Sequence, residues 1–374
     1  MLTLHDDAPM IVLTVNTGST SAKLAAFDTT RTPALCLRRE RSSGGAPQEA
    51  EPTLRRLLEA LDSNPAAVIH RVVHGGTLFT APTRLDADTL GQLAKLNELA
   101  PLHNPRALAW IAAARRLLPD LPHVAVFDTA FFHALPPVAA EYALPPRART
   151  ALGVRRYGFH GLAHEAMWKR WCELRPALTR GGRLITVQLG GGCSMAALRE
   201  GRPLDTSMGF SPLEGLVMAT RCGDLDPALP AHLMRGLDCE LPEVMRLLNQ
   251  ESGLAGLAGG RSSAGELAQD SGAEAQFALD LYCYRIRKYV GAYLAVLGGV
   301  DGIVFGGGVG EHVPEVRARA LASLQWAGIE LSLEANSAAR GAEARIDSGR
   351  GASQVYVVPV EEESVMVSAA QGLL

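Results

Sequence analysis

The chain is short of the devices that would announce its chemistry. Its six cysteines, at 36, 172, 193, 222, 239 and 283, include no pair at metal-ligand or C-x-x-C spacing. Reduced thiols in a cytoplasmic protein are expected. There is no basic block, and 36 Lys and Arg against 39 Asp and Glu give a net charge of −3, which argues against nucleic acid as a partner. The apolar stretch 289–310 is interrupted by Gly298, Gly299 and Asp301, so no membrane span is predicted. The N-terminal MLTLHDDAP is acidic and lacks an apolar core, which predicts no signal peptide. Neither the G-x-x-x-x-G-K-[ST] phosphate loop nor the H-E-x-x-H zinc motif occurs. At 374 residues and 47% apolar, the chain can bury a large core and favours two domains.

What is present is alternation. Strand-like runs at 11–16, 21–28, 68–73, 123–127, 183–189, 194–199, 302–305 and 354–358 alternate with helix-like stretches. The latter fall at 53–62, 86–98, 105–117, 161–173, 212–220, 240–250, 273–297 and 361–370. This order predicts layered α/β structure. Residues 31–52, rich in Arg, Ser, Gly, Pro and Glu, and residues 255–272, rich in Gly, Ala and Ser, read as surface loops. LTVNTGSTSAKLAAFD (13–28) and ITVQLGGGCSMAALRE (185–200) share a β run, a glycine-containing turn and a second β run. A shift of 172 pairs Thr14 with Thr186, Val15 with Val187, Gly18 with Gly190 and Ala25 with Ala197. The repeat predicts a duplicated domain whose turns offer backbone N–H groups to phosphate.

The densest cluster of polar side chains is DTSMGFSPLEGLVMATRCGDLDP (205–227), with Asp205, Glu214, Arg221, Asp224 and Asp226 around Pro212. It has neither helical nor strand periodicity and reads as a loop–helix–loop that presents charge. VNTGSTSAK (15–23) places Asn16 at a strand end, ahead of Ser19, Ser21 and Lys23. Hydroxyls and amides in a turn suit phosphate, and an amide oxygen suits Mg²⁺ or its waters; an ordinary Ser/Thr-rich hairpin carries the same residues. HRVVHGG (70–76) sets Arg71 and Val73 before a glycine turn, for bidentate capture of a carboxylate or phosphate or for a surface ion pair. FDTAFF (127–132) puts Asp128 at a strand end, where α/β sheets open their binding crevice or where a helix begins. YGFHGLAH (157–164) spaces His160 and His164 one helical turn apart, with no Glu between them to make a zinc motif. QLGGGCS (188–194) and VFGGGVGEH (304–312) are glycine-rich turns after apolar strands. VPVEEESVM (358–366) runs from a strand into a closing helix whose N-terminus favours its three glutamates.

The wording of 205–227 (DTSMGF, PLEGL, TR-x-GD-x-DP) and the N-x-G-S-x-S-x-K pattern at 16–23 resemble the acetate/propionate kinase, or acetokinase, family. The resemblance runs in order from about residue 11 to residue 370. It implies the two-lobed, duplicated, ribonuclease H-like α/β fold of acetate and sugar kinases, Hsp70 and actin, with a central cleft. The lobes would be 1–148 plus 363–374, and 149–362. It implies reversible phosphoryl transfer from ATP to acetate or propionate, with Mg²⁺, in a cytoplasmic homodimer. By the same resemblance Arg71 binds the carboxylate, and Val73, Leu102, Phe159 and Pro212 line its pocket. Asp128 orients the site, His160 and Arg221 stabilise the phosphoryl group in flight, and Asn16 and Glu362 position Mg²⁺. Ser19, Ser21, Lys23, Gln188, Gly190, Gly191, Gly192, Gly307, Gly308, Val309, Gly310 and His312 would hold the nucleotide.

The chain departs from the family at the nucleotide. The second phosphate loop reads Q-L-G-G-G where the family has H-L-G-N-G, and the loop at 306–312 ends in His where the family has Asn. After GLAGLAG (253–259), Ser263 and Gly265 stand where the family places an Asp and an Arg. Another phosphoryl donor, nucleotide or pyrophosphate, and a non-catalytic cleft-binding homologue therefore stand as alternatives. A cleft arginine is not core, so replacing Arg71 or Arg221 by Ala is expected to leave the fold intact.

Overall fold

The computed structural model of the protein describes residues 10–18, 21–42 and 44–374. These residues form two compact units, one running up to His133 and including Glu361–Leu374, the other Ala134–Val360. The junctions expected from sequence were 148/149 and 362/363.

In the first unit, β1 (Ile11–Thr17), β2 (Ala22–Asp28), β3 (Leu35–Ser42), β4 (Ala67–Val72), β5 (Thr83–Arg84) and β6 (His123–Phe127) form one sheet in the order β3-β2-β1-β4-β6-β5. β1 pairs antiparallel with β2 and parallel with β4. It is buried along its whole length, which is why it reads as an apolar run rather than an alternation. Leu13, Val15 and Leu24 pack with Leu54 and Leu57 of the helix Ala50–Glu59 and with Trp110 of the helix Asn104–Leu117. The helix Glu362–Ala370 returns the chain end to this unit, against β1, β4 and β6.

In the second unit, β7 (Arg183–Leu189), β8 (Cys193–Arg199), β9 (Arg202–Thr206), β10 (Gly302–Gly306), β11 (Ala344–Arg345) and β12 (Gln354–Val357) run in the order β9-β8-β7-β10-β12-β11. The helix Ala273–Leu297 packs on β8, burying Tyr282, Ile286, Val290, Tyr293 and Leu297 at intervals of three and four. It ends at Gly298, whose φ of 68° lies in the left-handed region that terminates helices.

The two sheets have the same strand order and the same senses throughout. The irregularity in the second strand recurs too, between Ala26 and Phe27 and between Ala197 and Leu198. β1 and β7 start at Ile11 and Arg183, β2 and β8 at Ala22 and Cys193, because four residues form the first turn and three form the second. Ala26, rather than Ala25, is therefore the counterpart of Ala197. The pairing read from sequence holds through Gly18 and Gly190 and slips by one residue in the turn.

Four local readings are corrected. The segment 31–52 contains β3, an edge strand whose mostly exposed, Arg-rich side chains hide its strand character and discourage further pairing. Residues 255–272 contain the end of the helix Gly253–Leu257 and the helix Ala264–Gln269, capped by the Ser263 hydroxyl. The glycine-rich 307–312 is a short helix rather than a turn. No helix forms at 212–220. There Gly215, at φ 107°, exchanges hydrogen bonds with Asp224, whose side chain accepts from the Gly215 N–H at 2.8 Å.

Candidate functional site

At the end of β4, Arg71 is 8% exposed and forms a fork on Asp128, Nε to Oδ1 at 3.0 Å and Nη2 to Oδ2 at 2.6 Å. Its Nη1 donates to Asn16 Oδ1 at 2.9 Å and lies 3.4 Å from Glu362 Oε2. The Asn16 amide donates onward to Glu362 Oε2 at 2.7 Å and Glu363 Oε1 at 2.8 Å. All five side chains are buried. Burial works against the charge on Arg71, but Asp128 and then Glu362 outweigh it and raise its pKa above the ordinary arginine value. This guanidinium is therefore held in the core by carboxylates, which corrects the expectation that its loss would leave the fold intact.

The surrounding backbone is clamped. Asn104 accepts from the His74 N–H at 3.1 Å and donates to the His74 carbonyl at 3.0 Å, and Thr129 Oγ1 accepts from the Gly75 N–H at 3.0 Å. A β-carbon on Gly75 would meet the Phe79 carbonyl at 2.3 Å, so the glycine turn is required. Val73 is buried beside Arg71 in sequence, whereas Leu102 is 50% exposed. Lys23 is exposed opposite Asn16 in the β1–β2 register, and Ser21 supplies the carbonyl that accepts from Gly18 N–H. Ser19 lies outside the described residues.

In the second unit His160 caps the helix Gly161–Leu174 from the left-handed region, φ 57°, which only a small share of non-glycine residues occupy. Strain of that kind concentrates at functional sites. His160 Nδ1 lies 2.9 Å from Ser194 Oγ. A β-carbon on Gly192 would sit 3.3 Å from His160 Nε2 and 3.5 Å from Arg221 Nη1, so both side chains border this glycine. Arg221 donates to the Pro212 carbonyl at 3.1 Å and touches Met218 Sδ. Among the described residues it has no carboxylate partner, and burial lowers its pKa, with only Cys193 acting the other way. Phe159, before His160, is fully buried.

The glycine-rich turn 190–192 follows β7, and the helix Gly307–His312 follows its parallel neighbour β10. Strand ends of this kind form the binding crevice of α/β sheets. A β-carbon on Gly307, φ 76°, would come within 2.6 Å of Gln188 Nε2, and Gln188 Oε1 is buried without a hydrogen-bond partner among the described residues. Around Gly191 there is open space. Gly308 and His312 are exposed, Val309 is half-buried and Gly310 buried.

Several positioning residues escaped the sequence reading. Arg156 grips Glu214 at 2.5 Å and donates to the carbonyls of Thr206 and Ser207, pinning the 205–215 segment. Arg317 is fully buried and hydrogen-bonds the carbonyls of Gly310, Glu311, Asn336 and Ala339 and the Asn336 side chain. Burial, then Arg340, pushes its pKa down to about 10. Glu311 Oε1 accepts from the N–H groups of Gly307 and Val360. Arg156 follows Arg155 directly before YGFH and Glu311 lies within VFGGGVGEH, while Arg317 stands in no motif.

The fold has counterparts among solved kinases. Porphyromonas gingivalis acetate kinase aligns with a TM-score of 0.87 at 34% identity, covering 97% of this chain and 99% of that one. A propionate kinase from Francisella tularensis aligns with a TM-score of 0.88 at 30% identity, covering 97% and 100%. An acetate kinase of Clavibacter michiganensis is 48% identical over 302 residues, 80% of this chain and 76% of that protein. One from Halothermothrix orenii is 42% identical over 303 residues, again 80% and 76%. The profile of the Acetokinase family matches residues 48–368. The chain belongs to the acetokinase family.

Proposed function

We propose that the chain transfers the γ-phosphoryl group of ATP to acetate, reversibly and with Mg²⁺, giving acetyl phosphate and ADP. An acetate oxygen attacks the γ-phosphorus as the bond to the β–γ bridging oxygen breaks, and ADP leaves with that electron pair. Such transfer requires positioning and neutralisation of charge more than covalent chemistry. The carrying observation is Arg221, a half-buried guanidinium with no carboxylate partner among the described residues, which together with His160 borders a phosphate-type glycine turn. Both serve the equatorial oxygens of the transferred group. Arg71, oriented by Asp128, holds the carboxylate, and propionate differs by one methylene that an apolar pocket discriminates only weakly.

The donor set beside Arg71 is acidic and oxygen-based, with Glu362 and Glu363 both accepting from the Asn16 amide. That fits Mg²⁺, which takes one or two carboxylates and completes its shell with phosphates and water. Glu362, with Asn16 beside it, would hold the ion, which neutralises charge on the phosphates. Arg261 is turned onto its own loop, paired with Asp270 and donating to the Ala258 carbonyl at 3.0 Å, so base recognition is expected to be weak. Among the described residues no helix is long and apolar enough to cross a membrane. We place the enzyme in the cytoplasm as a homodimer.

The test is acetyl phosphate formation, trapped as its hydroxamate, from acetate and Mg²⁺ with ATP, GTP, ITP or pyrophosphate. Activity with all three nucleotides within about tenfold, 1.4 kcal/mol of discrimination, is expected. Turnover with pyrophosphate alone, or with none of the four, would sink the proposal.

A further inference from the structure

Behind His160 lies a buried chain of polar atoms. Thr186 Oγ1 on β7 is 2.7 Å from His164 Nδ1, His164 Nε2 is 2.8 Å from Ser194 Oγ on β8, and Ser194 Oγ is 2.9 Å from His160 Nδ1. Thr186, Ser194 and His164 are all fully buried. Burial, then His160, holds the His164 pKa well below the ordinary histidine value, so its ring is neutral and carries one N–H.

The direction of this chain follows from proton counting. A hydroxyl has a single proton to donate. Among the described residues the only hydrogen-bond partner of the Thr186 hydroxyl is His164 Nδ1. If His164 donated to Thr186, the Thr186 proton would be buried with no acceptor, a costly arrangement. Thr186 therefore donates to His164 Nδ1. The single N–H of His164 is then at Nε2 and donates to Ser194, and the Ser194 proton goes to His160 Nδ1. That nitrogen is an acceptor, so the ring proton of His160 is at Nε2, the atom bordering Gly192 beside Arg221.

We propose that Thr186, His164 and Ser194 form a one-way hydrogen-bond relay that locks His160 in its Nε2–H tautomer, as a fixed donor to the transferred phosphoryl oxygen. The inference rests on the reading of His160 as a contact of that group. Thr186, His164 and Ser194 are positioning residues: they touch neither substrate nor nucleotide and act by setting which nitrogen of His160 carries the proton.

The experiment is a two-bond ¹H–¹⁵N spectrum of the 374-residue chain labelled at its 10 histidines, near pH 7.5, with His160 assigned by the signals lost in His160→Gln. The wild type is expected to show His160 as the Nε2–H tautomer. Ser194→Ala should give a tautomer mixture and lower kcat about tenfold or more, while KM for acetate and ATP stays within about twofold. Thr186→Val should loosen the tautomer and Thr186→Ser should retain it, a rescue that a merely space-filling role does not predict. An Nδ1–H tautomer in the wild type overturns the proposal even if every variant misfolds. A large kcat loss in His160→Gln with unchanged tautomer and kcat in Ser194→Ala overturns the relay alone. Wild-type kcat in His160→Gln overturns the catalytic reading of His160, and the proposal with it.

Discussion

Arg71 is buried and Arg221 half-buried, and the surroundings of the two arginines are opposite. Arg71 is forked onto Asp128 and lies against Glu362, so its charge is stabilised before any ligand arrives. Arg221 has a carbonyl and a sulfur for partners, and burial lowers its pKa. The two sit in units built on one plan. In β4, His70 lies opposite Val15 of β1, and in β10, Phe305 lies opposite Val187 of β7, so the strand position of Arg71 is occupied by Gly306 in the other unit. Asn16 likewise corresponds to Gln188 and Lys23 to Ser194. One copy fills its strand ends with carboxylates and a guanidinium, suited to a metal and a carboxylate. The other clears its strand ends with glycine and leaves a cation without an anion, suited to phosphate. The two copies share one frame and differ in the residues at their strand ends.

Replacing the two arginines by Ala is the sharpest way to break this comparison. Arg71→Ala strands buried carboxylates, so it should lower stability by about 3–5 kcal/mol in urea denaturation as well as abolish most turnover. Arg221→Ala removes a charge that burial disfavours. It should cost on the order of 100-fold in kcat with the urea midpoint unchanged or raised. Equal loss of stability in the two variants would erase the distinction between paired and unpaired arginines. Glu362→Gln sharpens the metal half: the Mg²⁺ concentration for half-maximal rate should rise about tenfold or more, with the ATP series at saturating Mg²⁺ little altered. An unchanged Mg²⁺ requirement would move the ion elsewhere.

The buried histidines add a pH test that spans both units. Burial depresses the pKa of His70, His123 and His164, with His123 adding to the effect at His70 and His160 at His164. His70 and His123 stack with Nε2 and Nδ1 2.9 Å apart. Below about pH 6.5 the unfolded chain binds protons at these positions that the folded chain refuses. Their contribution is therefore complete above pH 6.5 and lost as pH falls toward the folded values, by up to about 1.4 kcal/mol per pH unit for each histidine. Denaturation between pH 7.5 and 5.5 should show this slope, and His70→Leu should flatten it; a slope unchanged in that variant would assign the effect to other groups. The smallest change is expected from Gly191→Asn. The site is open and its backbone unstrained, so stability should move by no more than about 0.5 kcal/mol. The added amide should lower KM for ATP a few-fold, and a raised KM would show that the open space is itself used by the nucleotide.

Local pattern determined a large part of this protein. The apolar runs of β1, β7 and β10, the helical spacing of 273–297, the duplicated hairpin and the polar density of 205–227 are properties of neighbouring residues, and a sequence displays them directly. The family wording singled out Arg71, Asp128, His160 and Arg221 as candidates. Where local pattern and packing disagreed, packing won. β3 carries exposed charges because it is an edge, and 212–220 is held irregular by the Gly215–Asp224 exchange. Only the tertiary structure decided which charges are satisfied. Arg71 meets Asp128 across 57 residues and Asn16 meets Glu362 across 346, while nothing anionic reaches Arg221 among the described residues. The same holds for the relay behind His160, whose members lie on one helix and two strands. Periodicity is set by the backbone within a few residues. Pairing and desolvation are set by which side chains the folded backbone brings together, and that information is spread over the whole chain.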